Sequence, residues 1–167
     1  MDRLCSATID SPLGTLTLLA SDAGLRAVRW PGEDERRGGR PAPAALESPD
    51  QRWIRTATEQ LSAWFQGERT GFDVPLDLRG TPFQLEVWCA LAAVGWGATA
   101  SYADLANAIG RPRATRAVGA AVGRNPVAPV LGCHRILGSD GSLTGFAGGL
   151  DAKRWLLARE DSLRPGA

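Results

Sequence analysis

The chain has 167 residues, 44% hydrophobic and 22% charged, with a net charge of +1, an ordinary composition for a soluble domain that argues against disorder throughout. No stretch approaches the roughly 18 consecutive apolar residues of a membrane span, and the opening "MDRLCSATID" lacks the basic-then-apolar profile of a secretory signal, so a cytoplasmic protein without a membrane partner is expected. The three cysteines, Cys5, Cys89 and Cys133, are odd in number and widely spaced, which speaks against both a disulfide framework and a zinc cluster.

Taken in chain order, "CSATIDSPLGTLTLLASDAGLRAVRW" is rich in Thr, Leu and Val and broken by turn signals at "SPLG" and "SDAG", the pattern of a small antiparallel meander. Residues 31–50 concentrate Pro, Gly and charge and read as a flexible loop. From Gln51 to Gln66, Trp53, Ile54, Ala57, Leu61, Trp64 and Phe65 recur at helical spacing, predicting an amphipathic helix that covers one face of the meander. "GFDVPLDLRG" reads as an extended connector, and the domain boundary is placed at Gly80.

The second half is mainly helical. Thr81 and Pro82 open a helix through "TPFQLEVWCALAAV", with Phe83, Val87, Ala90, Leu91 and Val94 on its core stripe. Ser101 and Asp104 make a capping-box start to "YADLANAIG". "GRP" ends that helix and "RATRAVGAAVGR" begins another, so the two form a helix-turn-helix. "DAKRWLLARE" is the last helix, with Asp151 at its N-terminal end and Leu156 and Leu157 toward the core. The predicted fold is α+β, with a small N-terminal antiparallel sheet and helix over 1–79 and a mainly helical domain with a helix-turn-helix over 80–167.

Residues 1–80 carry a charge of −2 and residues 81–167 a charge of +3. Between Arg111 and Arg124 lie four arginines and no acid, interleaved with alanine and glycine. Such a segment suits phosphate contact with close approach of a helix backbone, and equally a solvated face opposite an Ala-packed helix contact. If it meets DNA, its small side chains fit a groove read by shape, with one arginine as a wedge.

"GCHRIL" places Cys133 beside His134, the only histidine. A lone cysteine is often a small buried hydrophobe, so adjacency alone leaves a structural role open. In an extended segment, moreover, successive side chains point to opposite faces, so a direct thiol-imidazole bond would require a turn or a bridging water. An activated thiol also needs a group that orients its base, and Glu160 in the last helix is the candidate carboxylate.

In order, "TPFQLEVWCAL", "TASYADLANAIG", "RAVGAAVGRNPVA", "CHRIL" and "GSLTGFAGGLDAKRWLLARE" resemble the O6-alkylguanine-DNA alkyltransferases, or methylated-DNA-protein-cysteine methyltransferases. The resemblance covers 81–160, and the meander with its helix is similar to the family's variable N-terminal domain. It implies repair of double-stranded DNA containing O6-alkylguanine, with O4-alkylthymine a weaker substrate, by base flipping and irreversible alkyl transfer to a cysteine in a single turnover. Cys133 takes the acceptor position, His134 acts through a bridging water, and Glu160 orients the imidazole. Asn125 matches the hinge asparagine, Arg116 the arginine that fills the vacated stack, and Tyr102 the proton donor to guanine N3. Arg113, Ala114, Thr115, Ala117 and Arg124 fall on the expected DNA-binding face, and Tyr102, Ile136, Phe146 and Ala147 on the base pocket. No metal or cofactor is implied, and the expected state is a monomer, with cooperative assembly on DNA left open.

Several positions depart from the family's pattern. Gly132 stands where proline is usual and is expected to leave the loop before the thiol more flexible. Gly95 replaces another common proline, Phe146 a frequent tyrosine, and Ala147 a serine found in some members. The rival reading is a non-catalytic alkyltransferase-like lesion-binding protein, against which the presence of Cys133 counts. A Cys-His hydrolase or thiol redox protein is disfavoured by the arginine-rich helix pair and the lack of a second cysteine nearby.

Overall fold

The computed structural model describes residues 3–36 and 44–163. The chain divides into two compact units, Met1–Arg79 and Gly80–Ala167.

In the first unit, β1 (Cys5–Ser11), β2 (Gly14–Ala20) and β3 (Leu25–Arg29) form the meander, with α1 (Glu33–Arg36), β4 (Leu46–Glu47) and α2 (Arg52–Phe65) following. The sheet order is β3-β2-β1-β4. β1 and β2 pair antiparallel from Cys5↔Ala20 to Ser11↔Gly14, but β4 lies parallel to β1. The sheet is therefore mixed, a correction to the antiparallel expectation. Two residues in a Pro- and Gly-rich stretch carry no alternation that could announce a strand; pairing of Leu46 with β1 creates it. Within 31–50, read as a loop, the described residues thus include a helical turn and a short strand, while residues 37–43 lie outside the described residues.

α2 starts where Gln51 caps it, its side chain accepting from the backbone N–H groups of Trp53 and Ile54. Ile54, Ala57, Leu61, Trp64 and Phe65 are buried, and so are Leu16, Leu18, Leu19 and Leu25 of the strands. Burying an amphipathic stripe on the apolar face of the sheet closes this unit's core. The connector is tied back by a Leu25–Leu76 bridge, and Asp77 accepts from Ser21 and Arg26.

In the second unit, α3 (Pro82–Leu91) is followed by β5 (Ala100–Ser101), α4 (Tyr102–Ala108), α5 (Thr115–Gly123), a 3-10 turn at Cys133–Arg135, β6 (Ile136–Leu137) and α6 (Leu150–Ser162). Full capping boxes start α3, from Thr81 and Gln84, and α4, from Ser101 and Asp104. The core of α3 is Val87, Trp88 and Leu91, while Phe83 and Ala90 are half-buried, as is Val94, which lies beyond the end of the helix rather than within it as expected. Trp88 was not on the expected stripe; its indole N–H donates to Ala121 O at 2.8 Å, joining α3 to α5. Between α4 and α5, Gly110 adopts φ +72°, a left-handed conformation that glycine takes without steric cost. In α6, Leu156 is fully buried and Leu157 half-buried.

Candidate active site

Three short devices bring the site together. The first is the 3-10 turn: Arg135 N–H bonds back to Gly132 O at 3.0 Å, and Ile136 N–H to Cys133 O. Cys133 and His134 therefore sit on a turn rather than in an extended strand, so the objection from alternating side chains does not apply. Both are buried, Cys133 at 6% and His134 at 0% exposure.

The second is the parallel pair of β5 with β6, Ala100↔Ile136 and Ser101↔Leu137. It lays the start of α4, and so Tyr102, alongside the strand that leaves the thiol's turn. The Tyr102 hydroxyl bonds Thr144 Oγ1 in the following loop. Burial raises the phenol's pKa; the Thr144 bond works against that rise, and negative charge on Cys133 adds to it. Tyr102 thus holds its proton firmly in this setting.

The third is Asn125, the residue after the C-cap of α5. Its Nδ2 donates to Leu131 O at 2.8 Å, and its Oδ1 accepts from Val127 N–H at 3.1 Å. The same Leu131 carbonyl accepts Cys133 N–H at 2.9 Å. One side chain therefore couples the end of the helix-turn-helix to the backbone of the thiol.

His134 Nε2 lies 2.8 Å from Glu160 Oε1. Burial alone would raise the Glu160 pKa, but hydrogen bonds from His134 and Arg135 and their charge hold it down at about 2. Burial lowers the His134 pKa despite its bond to Glu160, so at neutral pH the ring is uncharged. Against an ionised carboxylate, the neutral ring carries its proton on Nε2, and Nδ1 becomes the basic nitrogen. Phe146 sets its ring edge-on to His134, with centroids 6.4 Å apart.

Arg135 and Lys153 belong to this site, and sequence reasoning missed both. Arg135 donates to both oxygens of Glu160, at 2.7 to 3.1 Å, and to Val94 O at 2.7 Å. It directly follows His134 in "CHR", which was the available signal. Lys153 donates to Ile136 O and Thr144 O.

The Arg135 side chain also gives Gly132 a steric purpose. A Cβ at position 132 would lie 2.7 to 2.9 Å from Arg135 Nη1, Cδ and Cζ, and the guanidinium is held in place by Glu160 and Val94. Flexibility, the sequence-based expectation, is thus not the only effect of this glycine. Gly132→Ala and Gly132→Pro are expected to lose about 1–3 kcal/mol of stability through overpacking and to react more slowly. Thermal denaturation and single-turnover rates test this, and a proline variant faster than wild type would refute it.

On the helix-turn-helix, Arg113, Arg116, Ala117 and Arg124 are exposed and Ala114 and Thr115 half-buried. Arg111 is engaged by Glu86 at 3.2 Å. The first turn of α5 has no acidic residue and no side-chain cap, so its N–H groups and dipole present positive potential. Ile136 and Phe146 are buried and Ala147 half-buried. A cavity of about 370 Å³ reaches Glu160 between Gly97, Thr99, Leu137 and Leu157; none of the expected base-pocket residues lines it. Among the described residues, no group of three or more His, Cys, Asp or Glu side chains is placed to hold a metal, and no helix is long and apolar enough to cross a membrane.

Comparison with known proteins follows the same division of the chain. Residues 82–162 match the family model for the 6-O-methylguanine DNA methyltransferase DNA binding domain, and residues 4–78 that for its ribonuclease-like domain. The chain is 47% identical over 163 residues to the methylated-DNA–protein-cysteine methyltransferase of Mycolicibacterium paratuberculosis, covering 96% of this chain and 94% of that one. It is 40% identical over 161 residues to the protein of that name from Methanosarcina acetivorans, covering 93% and 97%. The crystal structure of Mycobacterium tuberculosis OGT in complex with DNA superposes with a TM-score of 0.80 at 44% identity, covering 98% of this chain and 96% of that one.

Proposed function

Because this chain belongs to the 6-O-methylguanine DNA methyltransferase family, DNA-binding methyltransferases of DNA repair, we propose that it flips O6-alkylguanine out of duplex DNA and takes the alkyl group onto Cys133. The observation that carries this reading is the buried His134–Glu160 pair set directly after the thiol on a 3-10 turn.

The proton of Cys133 passes through a water to His134 Nδ1, whose ring is neutral and oriented through Nε2 by Glu160. The thiolate sulfur attacks the alkyl carbon in line; the S–C bond forms, the C–O6 bond breaks, and its electron pair moves into the guanine ring. Tyr102 delivers its proton to guanine N3 as charge develops there. A thioether is a poor leaving group, so each molecule reacts once. O4-alkylthymine is the weaker substrate.

The DNA face is built from Arg113, Ala114, Thr115, Ala117 and Arg124, where small side chains bring the N-terminal end of α5 close to phosphate. Arg116, exposed in the first turn of α5, fills the space that the flipped base leaves. The protein acts as a monomer, and Asn125 carries the docking of α5 to the thiol's loop.

Mixing the protein with duplex DNA bearing one O6-methylguanine is expected to add the mass of one methylene, at one equivalent, to wild type and not to Cys133→Ser, as read by intact-protein mass spectrometry. Tight binding of the lesion with no mass gain would instead make this a lesion-recognition protein.

A further inference from the structure

Tyr102 is the only tyrosine of the chain, and among the described residues its hydroxyl has one hydrogen-bond partner, Thr144 Oγ1. Both residues are fixed through their backbones. Tyr102 is the first residue of α4, whose start is set by the Ser101 capping box, and its ring lies against α5, where a Cβ added to Gly119 would come 3.7 Å from Tyr102 Cδ1. Thr144 stands two residues before the buried Phe146, and its carbonyl accepts at 3.1 Å from Lys153, the chain's only lysine, which is fully buried in α6.

A bond between two hydroxyls can run in either direction, because each is both a donor and an acceptor and each rotates about its own C–O bond. While the phenol donates to Thr144, its proton is not available to a base in the pocket. Once Thr144 donates instead, the phenol proton is released to point elsewhere, and the change takes two hydroxyl rotations with no backbone movement. Thr144 is exposed in the DNA-free protein and Tyr102 half-buried, so water can serve the phenol there as well. A base seated over the pair excludes that water, and a phenol oxygen that gives up its proton in such a site needs a donor that stays.

Resting on the alkyl-transfer reading, we infer that Thr144 is a positioning residue for the proton donor: its hydroxyl turns to donate to the Tyr102 oxygen as the phenol proton passes to guanine N3. The O–H bond of Tyr102 breaks and its electron pair stays on the phenol oxygen, the N3–H bond forms, and Thr144 keeps its own proton. The phenolate recovers a proton from water when the DNA leaves. Burial opposes ionisation of the phenol, the Thr144 bond favours it, and negative charge on Cys133 acts with burial. Gly119 brings no charge to the ring from α5, and Lys153 meets the Thr144 backbone rather than the phenol.

Thr144→Val keeps the shape of the side chain and removes the hydroxyl, whereas Thr144→Ser keeps the hydroxyl. With O6-methylguanine DNA in excess, single-turnover methyl transfer is expected to slow about tenfold or more in the valine variant with lesion binding unchanged, and to return in the serine variant. On a lesion whose N3 is replaced by C–H, which takes no proton, wild type and Thr144→Val are expected to react at the same rate. Wild-type transfer by Thr144→Val, or the same slowing on the altered base, overturns the inference. The pair is also read without DNA. Fluorotyrosine incorporated in place of tyrosine labels Tyr102 alone and lowers its ionisation toward a pH at which the chain stays folded, and fluorine NMR in a Cys133→Ser background follows it free of thiolate charge. The midpoint is expected to rise by about half a pH unit or more in Thr144→Val, and an unmoved midpoint overturns the Thr144 donor. That midpoint is measured even if wild type accepts no methyl group, so the failure of the alkyl-transfer reading is told apart from the failure of this one.

Discussion

Glu160→Gln is expected to abolish alkyl transfer for practical purposes and to cost more stability than any other single change at the site. The carboxylate accepts from His134 Nε2, from Arg135 through Nε and Nη2, and from Gly97 N–H, and Glu160 is 1% exposed. A neutral amide leaves the Arg135 guanidinium as a buried charge without its counter-ion, a loss of about 3–5 kcal/mol. It also removes the acceptor that fixes the imidazole tautomer; loss of an orienting carboxylate elsewhere slows reaction on the order of 10⁴-fold. Single-turnover transfer and denaturant unfolding measure the two effects. Retained activity would show that His134 does not need Glu160.

The pH dependence of stability follows from the same group. The folded Glu160 pKa of about 2 lies below the ordinary 4.5, so the folded state binds this proton more weakly than the unfolded one. The stabilisation is fully present above pH 4.5 and is lost as pH falls toward 2. His134 is lowered from 6.5, which adds a loss of the same sign as pH drops below 6.5. Thermal midpoints of wild type are therefore expected to fall with acid more steeply than those of Glu160→Gln between pH 4.5 and 2.

Asn125→Ala is expected to have the second largest effect. It takes the acceptor from the buried Val127 N–H, at about 1–3 kcal/mol, and one of two donors from the Leu131 carbonyl. Since Leu131 C=O also receives Cys133 N–H, the damage reaches the thiol's turn, and transfer should slow along with the loss of stability. Asn125→Asp discriminates an amide from mere bulk: its carboxylate still accepts from Val127 but faces the Leu131 carbonyl with no proton to donate. Wild-type transfer in the aspartate variant would remove Asn125 from the positioning of the loop.

Much of this was legible in the residues because it is local. Helix starts are chemical signals: Thr81 before Pro82, and Ser101 three residues from Asp104, mark where α3 and α4 begin. The helix over Arg52–Phe65 shows in the spacing of its buried residues, and the order of the motifs around Cys133, His134 and Glu160 carried the family. The half-buried Phe83 and the missed Trp88 mark the limit, because which side of α3 faces the core depends on where α5 lies. β4 and α1 were unreadable for a like reason, being stabilised by their neighbours rather than by propensity.

By itself, then, the sequence determined the α+β class, the elements with strong periodicity or caps, and the residue types that suit alkyl transfer to a thiol. Only the tertiary structure decided that Cys133 sits on a 3-10 turn, that Arg135 shares Glu160 with His134, that Gly132 makes room for that arginine, and that the sole lysine is an interior ammonium. Periodicity and capping act within a few residues and leave a trace in the string of letters. Burial, charge pairing and the direction of a side chain depend on partners that for Arg135 lie 25 and 41 residues away, and only the folded chain brings those together.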